Sequence, residues 1–526
     1  MRSRIEGRVA VVSALAALLV PVGASAYGVE IPENGTVAFG RGGAFMVRAS
    51  DPSTVMHNVA GIVGLRGFQF TIGSNLGSFS HCFQRGGING NTYEANADVI
   101  PNTMGTVFGT GADGLPTYGG QPFPEVCKEP ALALAPMIMG TYRINRYVGI
   151  GFGITAPSTP GSGQNFADRV TLSNGVMAPS PARHLLFRKS LLVIYPTLAV
   201  SVQPHRIFRI GLSVQPSFGS FGFGLMANAD RANPQSPASD TLIDLSAQAF
   251  FLAGALGVQV LPNRYFSFAA QAHYNFPIDA SGTASTTFNT YGSGTSGPTA
   301  PVQGSFDINS MRITLPWDVR VGARFSFPRA GAQHTQDDGT GEYDPMRDDL
   351  FDVEVMYRFE RTSMLSDTAL SNTGSIAGPN IPAPAELSIS SALSDVHEVR
   401  LGGDWNILPN RLAARVGFSY STAGASPELA QIHLPAYAGG SIHLGGTWRI
   451  TRHWDLNLGF GHFIFAQNDA SNGRRAIVVP SDAMGNQINP NGSECNPPVG
   501  QQACAVNQGV YRASFTAGSI SVTGRF

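Results

Sequence analysis

The sequence predicts an all-β fold, a transmembrane antiparallel β-barrel of about fourteen strands, on three observations. Apolar residues recur with a period of two over most of the chain. Short polar turns alternate with long segments rich in Gly, Ser, Thr, Asn and Pro. Only 13% of the 526 residues are charged, about half the usual share, while 43% are hydrophobic and 62 are glycine. This composition is too apolar for disorder and too poor in Lys and Glu for a helical bundle. A net charge of −1 provides no field to gather nucleic acid.

The N-terminus reads as an export signal. Arg2, Arg4 and Arg8 precede an uncharged run from Val9 to Val20, and Ala24-Ser25-Ala26 supplies a small-residue cleavage site. Residues 1–26 form the expected signal peptide, and the chain from Tyr27 onward carries −3. The uncharged stretch from Leu245 to Pro262 is barely long enough for a membrane helix and contains Ser246, Gln248 and Gln259, so strand is the better reading.

Alternation marks the strands one by one. Phe208, Ile210, Leu212 and Val214 share one parity, with Arg209, Gly211, Ser213 and Gln215 on the other. The pattern returns at Phe266 to Phe276 and, longer, at Ile313 to Phe327, where Arg312, Thr314, Asp318, Arg320 and Arg324 lie opposite the apolar set. Tight turns such as Pro262-Asn263-Arg264-Tyr265 and Thr451-Arg452-His453-Trp454 sit beside aromatics, as at the rim of a membrane barrel. With those turns as boundaries, strands fall near 66–80, 131–143, 147–156, 186–203, 206–218, 242–261, 264–280, 309–328, 350–362, 396–407, 411–423, 437–449, 453–466 and 510–526. One short-side connector, 329–349, is long and acidic. In the last strand Ile520, Val522, Gly524 and Phe526 share a face, so the chain stops on an outward aromatic. That ending resembles the signal read by the barrel assembly machinery, an expected partner together with outer-membrane lipid.

Residues 27–65 lack alternation and have no place in the wall. The stretch GTVAFGRGGAFMVRASDPSTVMHNVAGIVGL, from Gly35 to Leu65, resembles the FadL family of outer-membrane transporters for long-chain fatty acids and other hydrophobic compounds. The matching positions are Gly40, Arg41, Gly42, Gly43, Ala44, Ala49, Asp51, Ser53, Asn58, Ala60 and Gly61. Val59 stands where the family has proline, which releases a fixed φ. Thr314-Leu315-Pro316, Arg411 to Ala425, and the pairing of that stretch with Gly445 to Phe465 are similar to the family as well. The resemblance implies that residues 27–65 form a hatch plugging a barrel made by 66–526.

It also implies passive uptake. A hydrophobic ligand would bind at an outer groove, for which Phe218, Phe221, Phe223, Leu225 and Met226 are candidates as they leave a strand into the third outer loop. Extension of the fifth strand or loop packing is the competing reading of these five. The hatch would then move, and cargo would leave sideways through the third strand. That strand holds Gly149, Gly151 and Gly153, which permit a wall opening or make room for hatch atoms.

The inward charges Arg320, Arg324, Glu354, Arg358, Glu398, Arg400, Asp404, Arg415 and Asp455 alternate in sign and read as structural pairs in a polar lumen. Cys82, Cys127, Cys495 and Cys504 lack metal-ligand spacing, and loop locality favours the pairs 82–127 and 495–504 among three connectivities. No cofactor or metal is expected. A general porin, with no N-terminal plug, is the nearer rival. A barrel enzyme is the more distant one: no G-x-S-x-G or H-E-x-x-H occurs, although His273, His397 and His443 read as inward.

Overall fold

The computed structural model describes residues 34–86, 121–158, 164–175, 177–228, 240–288, 302–330, 343–372, 386–390, 393–433, 435–470 and 507–526. The expected signal peptide and the pair Cys495–Cys504 lie outside these residues. Fourteen strands close into an antiparallel barrel. They are β1 (Phe68–Arg85), β2 (Leu132–Arg143), β3 (Val148–Ser158), β4 (Leu186–His205), β5 (Phe208–Asn228) and β6 (Asp240–Val260). Next come four interrupted strands: β7 (Phe266–Asn275 and Ile278–Phe288), β8 (Val302–Ile313 and Asp318–Pro328), β9 (Asp349–Glu360 and Asp367–Asn372) and β10 (Glu386–Ser390 and Val396–Leu408). The wall finishes with β11 (Leu412–Ser421), β12 (Gly439–Thr451), β13 (Trp454–Phe465) and β14 (Gly509–Arg525). Each strand pairs with its chain neighbours, and β14 closes on β1 from Gln69↔Arg525 to Arg85↔Gly509, so no edge is left to aggregate.

The outer surface explains the period of two. Outward positions such as Ile72, Leu134, Leu198, Leu212, Leu256, Val321, Leu401 and Leu444 remain exposed, an apolar band suited to lipid. Toward the short turns the band ends in aromatics, among them Tyr142, Tyr147, Phe266, Phe327, Trp405, Trp448 and Trp454. Phe526 belongs to this girdle, lying flat over Phe70 and His453. At the opposite rim Phe250, Tyr274, Phe276 and Tyr420 are exposed, and Trp317 packs on Phe359. Two aromatic belts locate the membrane interfaces.

Several strands run further than the alternation indicates. β5 continues to Asn228, and β7 and β8 include Ile278–Phe288 and Val302–Ile313, within a region that reads as loop from its Ser, Thr and Gly content. These extensions carry outward polar residues such as Asp279, Ser281, Gln303 and Ser305, because above the lipid the outer face meets water. The hydrogen-bond ladder persists where the apolar alternation stops.

The hatch fills the lumen as three short helical turns, α1 (Thr36–Gly40), α2 (Thr54–His57) and a 3₁₀ turn over Val59–Gly64, nearly all buried. Wall glycines make its seat. A Cβ on Gly417 would stand 2.0 Å from the backbone carbon of Arg41, and one on Gly211 would stand 2.5 Å from that of Val59. Gly42 and Gly43 have φ of 61° and 79°, a conformation that only glycine adopts freely. We expect Gly417→Val to leave a folded barrel, seen as unchanged heat-modifiable gel mobility, while unseating the hatch. A steady leak conductance in planar bilayers, absent from the wild type, is the expected reading.

Candidate functional site

The hatch is fastened by charge. Arg41 and Arg48, both buried, meet a nest of wall carboxylates. Arg41 reaches Asp404 Oδ1 at 2.6 Å, Asp352 Oδ1 at 2.8 Å and Glu354 Oε2 at 3.6 Å. Arg48 bonds Asp352 and lies 3.2 Å from Asp404. Glu354 accepts the backbone N–H groups of Val47 and Arg48 at 2.8 and 2.9 Å. These carboxylates project inward from β9 and β10, whose even positions face the lumen, so strand register alone brings them together. Arg324 and Arg415 complete the cluster through Asp349, Asp352 and Asp404.

The rest of the hatch motif acts locally. Asp51 accepts from the Ser53 backbone and hydroxyl at 2.7 and 2.5 Å. Asn58 caps the 3₁₀ turn by accepting from Ala60 N–H at 3.1 Å, and its amide donates to Met46 O. Ser201 of β4 donates to Ala60 O at 2.7 Å. Gly61 and Gly40 are close-packed against Ala49 and against Gly445 of β12. The substitution at Val59 gains a contact: its N–H donates to Gln271 Oε1 at 3.0 Å, while Gln271 Nε2 donates to Met56 O. Proline has no N–H to give.

Above the hatch the lumen changes character. On the inner face of β4 to β7 the half nearer the short turns presents Ser201, Gln203, Ser213, Gln259 and Gln271. The outer half presents Leu191, Val193, Phe221, Leu225, Ile243, Leu245 and Phe251, joined by Ile308, Met311 and Ile313 from β8 in one apolar cluster. The expectation of a polar lumen therefore holds only for part of it. The missed signal is apolar residues on both parities, as in Leu191-Leu192-Val193-Ile194-Tyr195 and Ala249-Phe250-Phe251-Leu252-Ala253, which mark strands greasy on both faces.

This apolar wall leads down to a cavity of about 90 Å³ whose floor is the hatch residues Val55, Met56 and His57. Tyr195, Ala255, Leu315 and Pro316 line its sides. The strand interruptions at 314–317 and 361–366 and the segment 393–395 border it through Pro316, Thr362, Leu365 and Leu393. Its charges are matched within the wall. Asp318 binds Arg320 at 2.5 Å and stands 3.6 Å from Arg358, which is 3.2 Å from Glu360.

The candidate ligand residues sit differently from expectation. Phe218, Phe221, Phe223, Leu225 and Met226 remain in β5 and do not form an outer-loop groove, since the β5–β6 ladder continues through them from Phe250↔Phe218 to Leu242↔Met226. Phe221 and Leu225 belong to the apolar inner wall and Phe223 packs against it, whereas Phe218 faces outward on Phe250. Met226 joins a second cluster with Phe39 of the hatch and Phe166, Phe187, Tyr437 and Tyr511. Gly149, Gly151 and Gly153 face the hatch: an added Cβ would stand 2.9 Å from Val63 Cα, 2.7 Å from Val55 Cγ2 and 3.5 Å from Val55 Cγ1. The bend in β3 lies just beyond them, where pairing with β4 skips from Thr155↔Tyr195 to Ser158↔Val193.

Cys82 and Cys127 are joined, tying a short strand at Glu125–Cys127 to the outer end of β1. Among the histidines, His397 points outward, bonded to Tyr357 in the aromatic belt at 2.7 Å, because its odd position in β10 alternates with the inward Glu398. His443 bonds Ser441 at 2.7 Å, but Phe39 and Phe463 wedge its ring edgewise and no carboxylate orients it. A working Ser–His dyad needs that third group. His273 stands 3.8 Å from Asp318 and bonds Gln215.

At the short-turn rim the acidic connector folds back as α3 (Pro345–Asp348). Burial alone would raise the Asp344 carboxyl, and Arg525 and Arg449 overcome it, pulling it down to about 2.

Solved structures similar to this one share its architecture. A Pseudomonas aeruginosa FadL homologue superposes with a TM-score of 0.65 at 13% identity, covering 96% of this chain and 100% of that one. The Ralstonia pickettii toluene transporter TbuX gives 0.55 at 15% identity, over 94% and 99% of the two chains. The P. putida toluene transporter TodX gives 0.56 at 12% identity, over the same shares. The chain has the FadL fold. No family model and no curated protein matches its sequence. Within the FadL fold, the hatch of this chain is held through Arg41 more than through any other side chain, since Arg41 alone reaches all three carboxylates of the nest.

We expect Arg41→Met to leave Asp352, Asp404 and Glu354 undercompensated and to weaken hatch docking by about 3–5 kcal/mol. Amide exchange of residues 36–64 should accelerate while the strand amides keep their protection.

Proposed function

We propose that this protein is a passive transporter of the bacterial outer membrane that takes up long-chain fatty acids or similar hydrophobic compounds. The observation that carries the reading is the apolar inner wall of β4 to β8 descending onto a cavity floored by the hatch. An apolar lining above a plug has no use for hydrated solutes, whose transfer it would penalise. It offers a hydrophobic cargo a continuous path from the outer rim to the hatch.

The cavity as it stands, about 90 Å³, is too small for a long-chain cargo. Cargo of useful size must therefore displace Met56 and its neighbours, so binding and hatch movement are coupled through differential affinity for two hatch states. Exit sideways through the bend in β3 is supported by Pro157, which lies at that bend and also lines the cavity. The toluene transporters that share the fold are consistent with a small hydrophobic cargo. A general porin is disfavoured by the occupied lumen, and no arrangement of side chains among the described residues favours catalysis.

The test is a lock. Val55 Cγ1 lies 3.5 Å from where a Cβ on Gly153 would stand, so the double substitution V55C/G153C places two thiols across the hatch–wall boundary. Uptake of a radiolabelled hydrophobic cargo by cells should fall at least tenfold under oxidising conditions and recover on reduction. Uptake that is equal in the two states would overturn the hatch mechanism.

A further inference from the structure

The hatch stands between the cavity of about 90 Å³ above it and a second, of about 360 Å³, at the short-turn end of the barrel. Met56 belongs to the upper side, where cargo would arrive, and its contacts are unlike those of a methionine that fills an apolar gap. Three wall side chains turn their donors onto its sulfur. Thr155 Oγ1 of β3 stands 3.9 Å from Sδ, Thr197 Oγ1 of β4 3.6 Å and Gln215 Nε2 of β5 3.7 Å. All three side chains are buried. Gln215 is held in this orientation, since its Oε1 accepts from His273 Nε2 at 2.9 Å and its Nε2 also donates to Thr197 Oγ1 at 3.1 Å.

A thioether is a weak acceptor, so the sulfur serves these donors poorly. Thr197 has a second acceptor in Tyr195 O at 3.3 Å, while the hydrogen bond of the buried Thr155 hydroxyl goes to the sulfur. Oxygen on Sδ would change that balance. The donors point at the sulfur lone pairs, which are where an oxygen is added, and a sulfoxide oxygen accepts strongly at ordinary hydrogen-bond distance. Met56 is also accessible to a small oxidant. Among the described methionines it is one of three that are not buried, with Met177 and Met364, and of these three it is the one in the hatch.

We propose that Met56 is a site of reversible oxidation, at which a hydroperoxide converts the thioether to the sulfoxide and so staples the hatch to β3, β4 and β5. A sulfur lone pair attacks one peroxide oxygen, and the S–O bond forms as the O–O bond breaks. The sulfur gives up two electrons to the peroxide. The proton of the attacked oxygen passes to the displaced one, which leaves as water or, from an alkyl hydroperoxide, as an alcohol. The consequence rests on the transport reading: cargo has to displace Met56, and a Met56 bonded to three strands resists displacement, so oxidation closes the hatch to cargo.

The test compares purified full-length protein in detergent before and after treatment with tert-butyl hydroperoxide, with peptide mass spectrometry to locate the added oxygen. Met56 should be oxidised, and amide exchange of residues 54–64 should slow by about fivefold, as one added hydrogen bond allows. Methionine sulfoxide reductases of both stereochemical types should restore the original rate. Met56→Leu should show no slowing. Thr155→Val should be oxidised at Met56 and slow less, and it carries the test if Met56→Leu lacks the heat-modifiable mobility of a folded barrel. Exchange that is unchanged or faster once Met56 carries its oxygen overturns the proposal. Equal slowing in Met56→Leu overturns it too, as does oxidation of Met177 and Met364 with Met56 left intact. Uptake of a radiolabelled hydrophobic cargo should fall at least threefold on peroxide treatment of wild-type cells, a fall that Met56→Leu abolishes, and undiminished uptake overturns the closing role. Slowed exchange in a protein that takes up no cargo in either state supports the staple and counts against the transport reading, so the two fail separately.

Discussion

Everything inside this barrel depends on two arginines of the hatch buried among three carboxylates of the wall. Arg41 and Arg48 cannot leave Asp352, Glu354 and Asp404 without exposing like charges to one another in a site shielded from water. The cluster fixes the height of the hatch and hence the position of Met56 and His57 above it and of Ala49 and Gly64 below. Both cavities are consequences of that placement. The glycines of the wall act with it: charge sets where the hatch lies, and missing side chains let its backbone approach the strands closely.

A plug that is ion-paired on one side and van der Waals packed on the other is suited to partial movement. The contacts of α2 and the 3₁₀ turn with β3 to β7 are apolar contacts and single hydrogen bonds, Ser201 to Ala60 and Val59 to Gln271 among them. Each such hydrogen bond is worth about 1 kcal/mol, whereas the arginine cluster is several times stronger. Cargo entering from the apolar wall meets the weakly held side of the hatch. That asymmetry allows a hydrophobic ligand to shift Val55 and Met56 while Arg41 stays anchored.

Charge pairing continues on both sides of the hatch. Above the hatch every lining guanidinium has a carboxylate within reach, so the space is neutral and its apolar sides dominate. Below it, among the described residues, arginines such as Arg48, Arg324 and Arg525 line the space and are paired with Asp352 and Asp455. The folded connector brings Asp344 to that end and ties it to Arg449 and Arg525.

The sequence alone determined the barrel and its fourteen strands, because lipid imposes a period of two on every outward residue, and the buried turns over 36–64 are consistent with the plug that the Gly-Arg-Gly-Gly stretch led one to expect. Loop locality favoured the pair Cys82–Cys127 among three connectivities, and the structure joins those two residues. It left Phe221, Leu225 and Met226 open between an outer groove and an extension of the fifth strand, and the ladder decides for the extension, since above the membrane the outer face no longer has to be apolar and alternation ceases to report pairing. It read His397 as inward, although the inward Glu398 and Arg400 of the same strand give His397 the opposite parity, and the structure places it outward. Only the tertiary structure decided which inward charges meet the hatch, how the inner wall becomes apolar with height, and that Thr155, Thr197 and Gln215 converge on Met56. Those contacts join residues up to several hundred positions apart, and strand stagger, which the sequence of any one strand does not encode, sets which of them share a level.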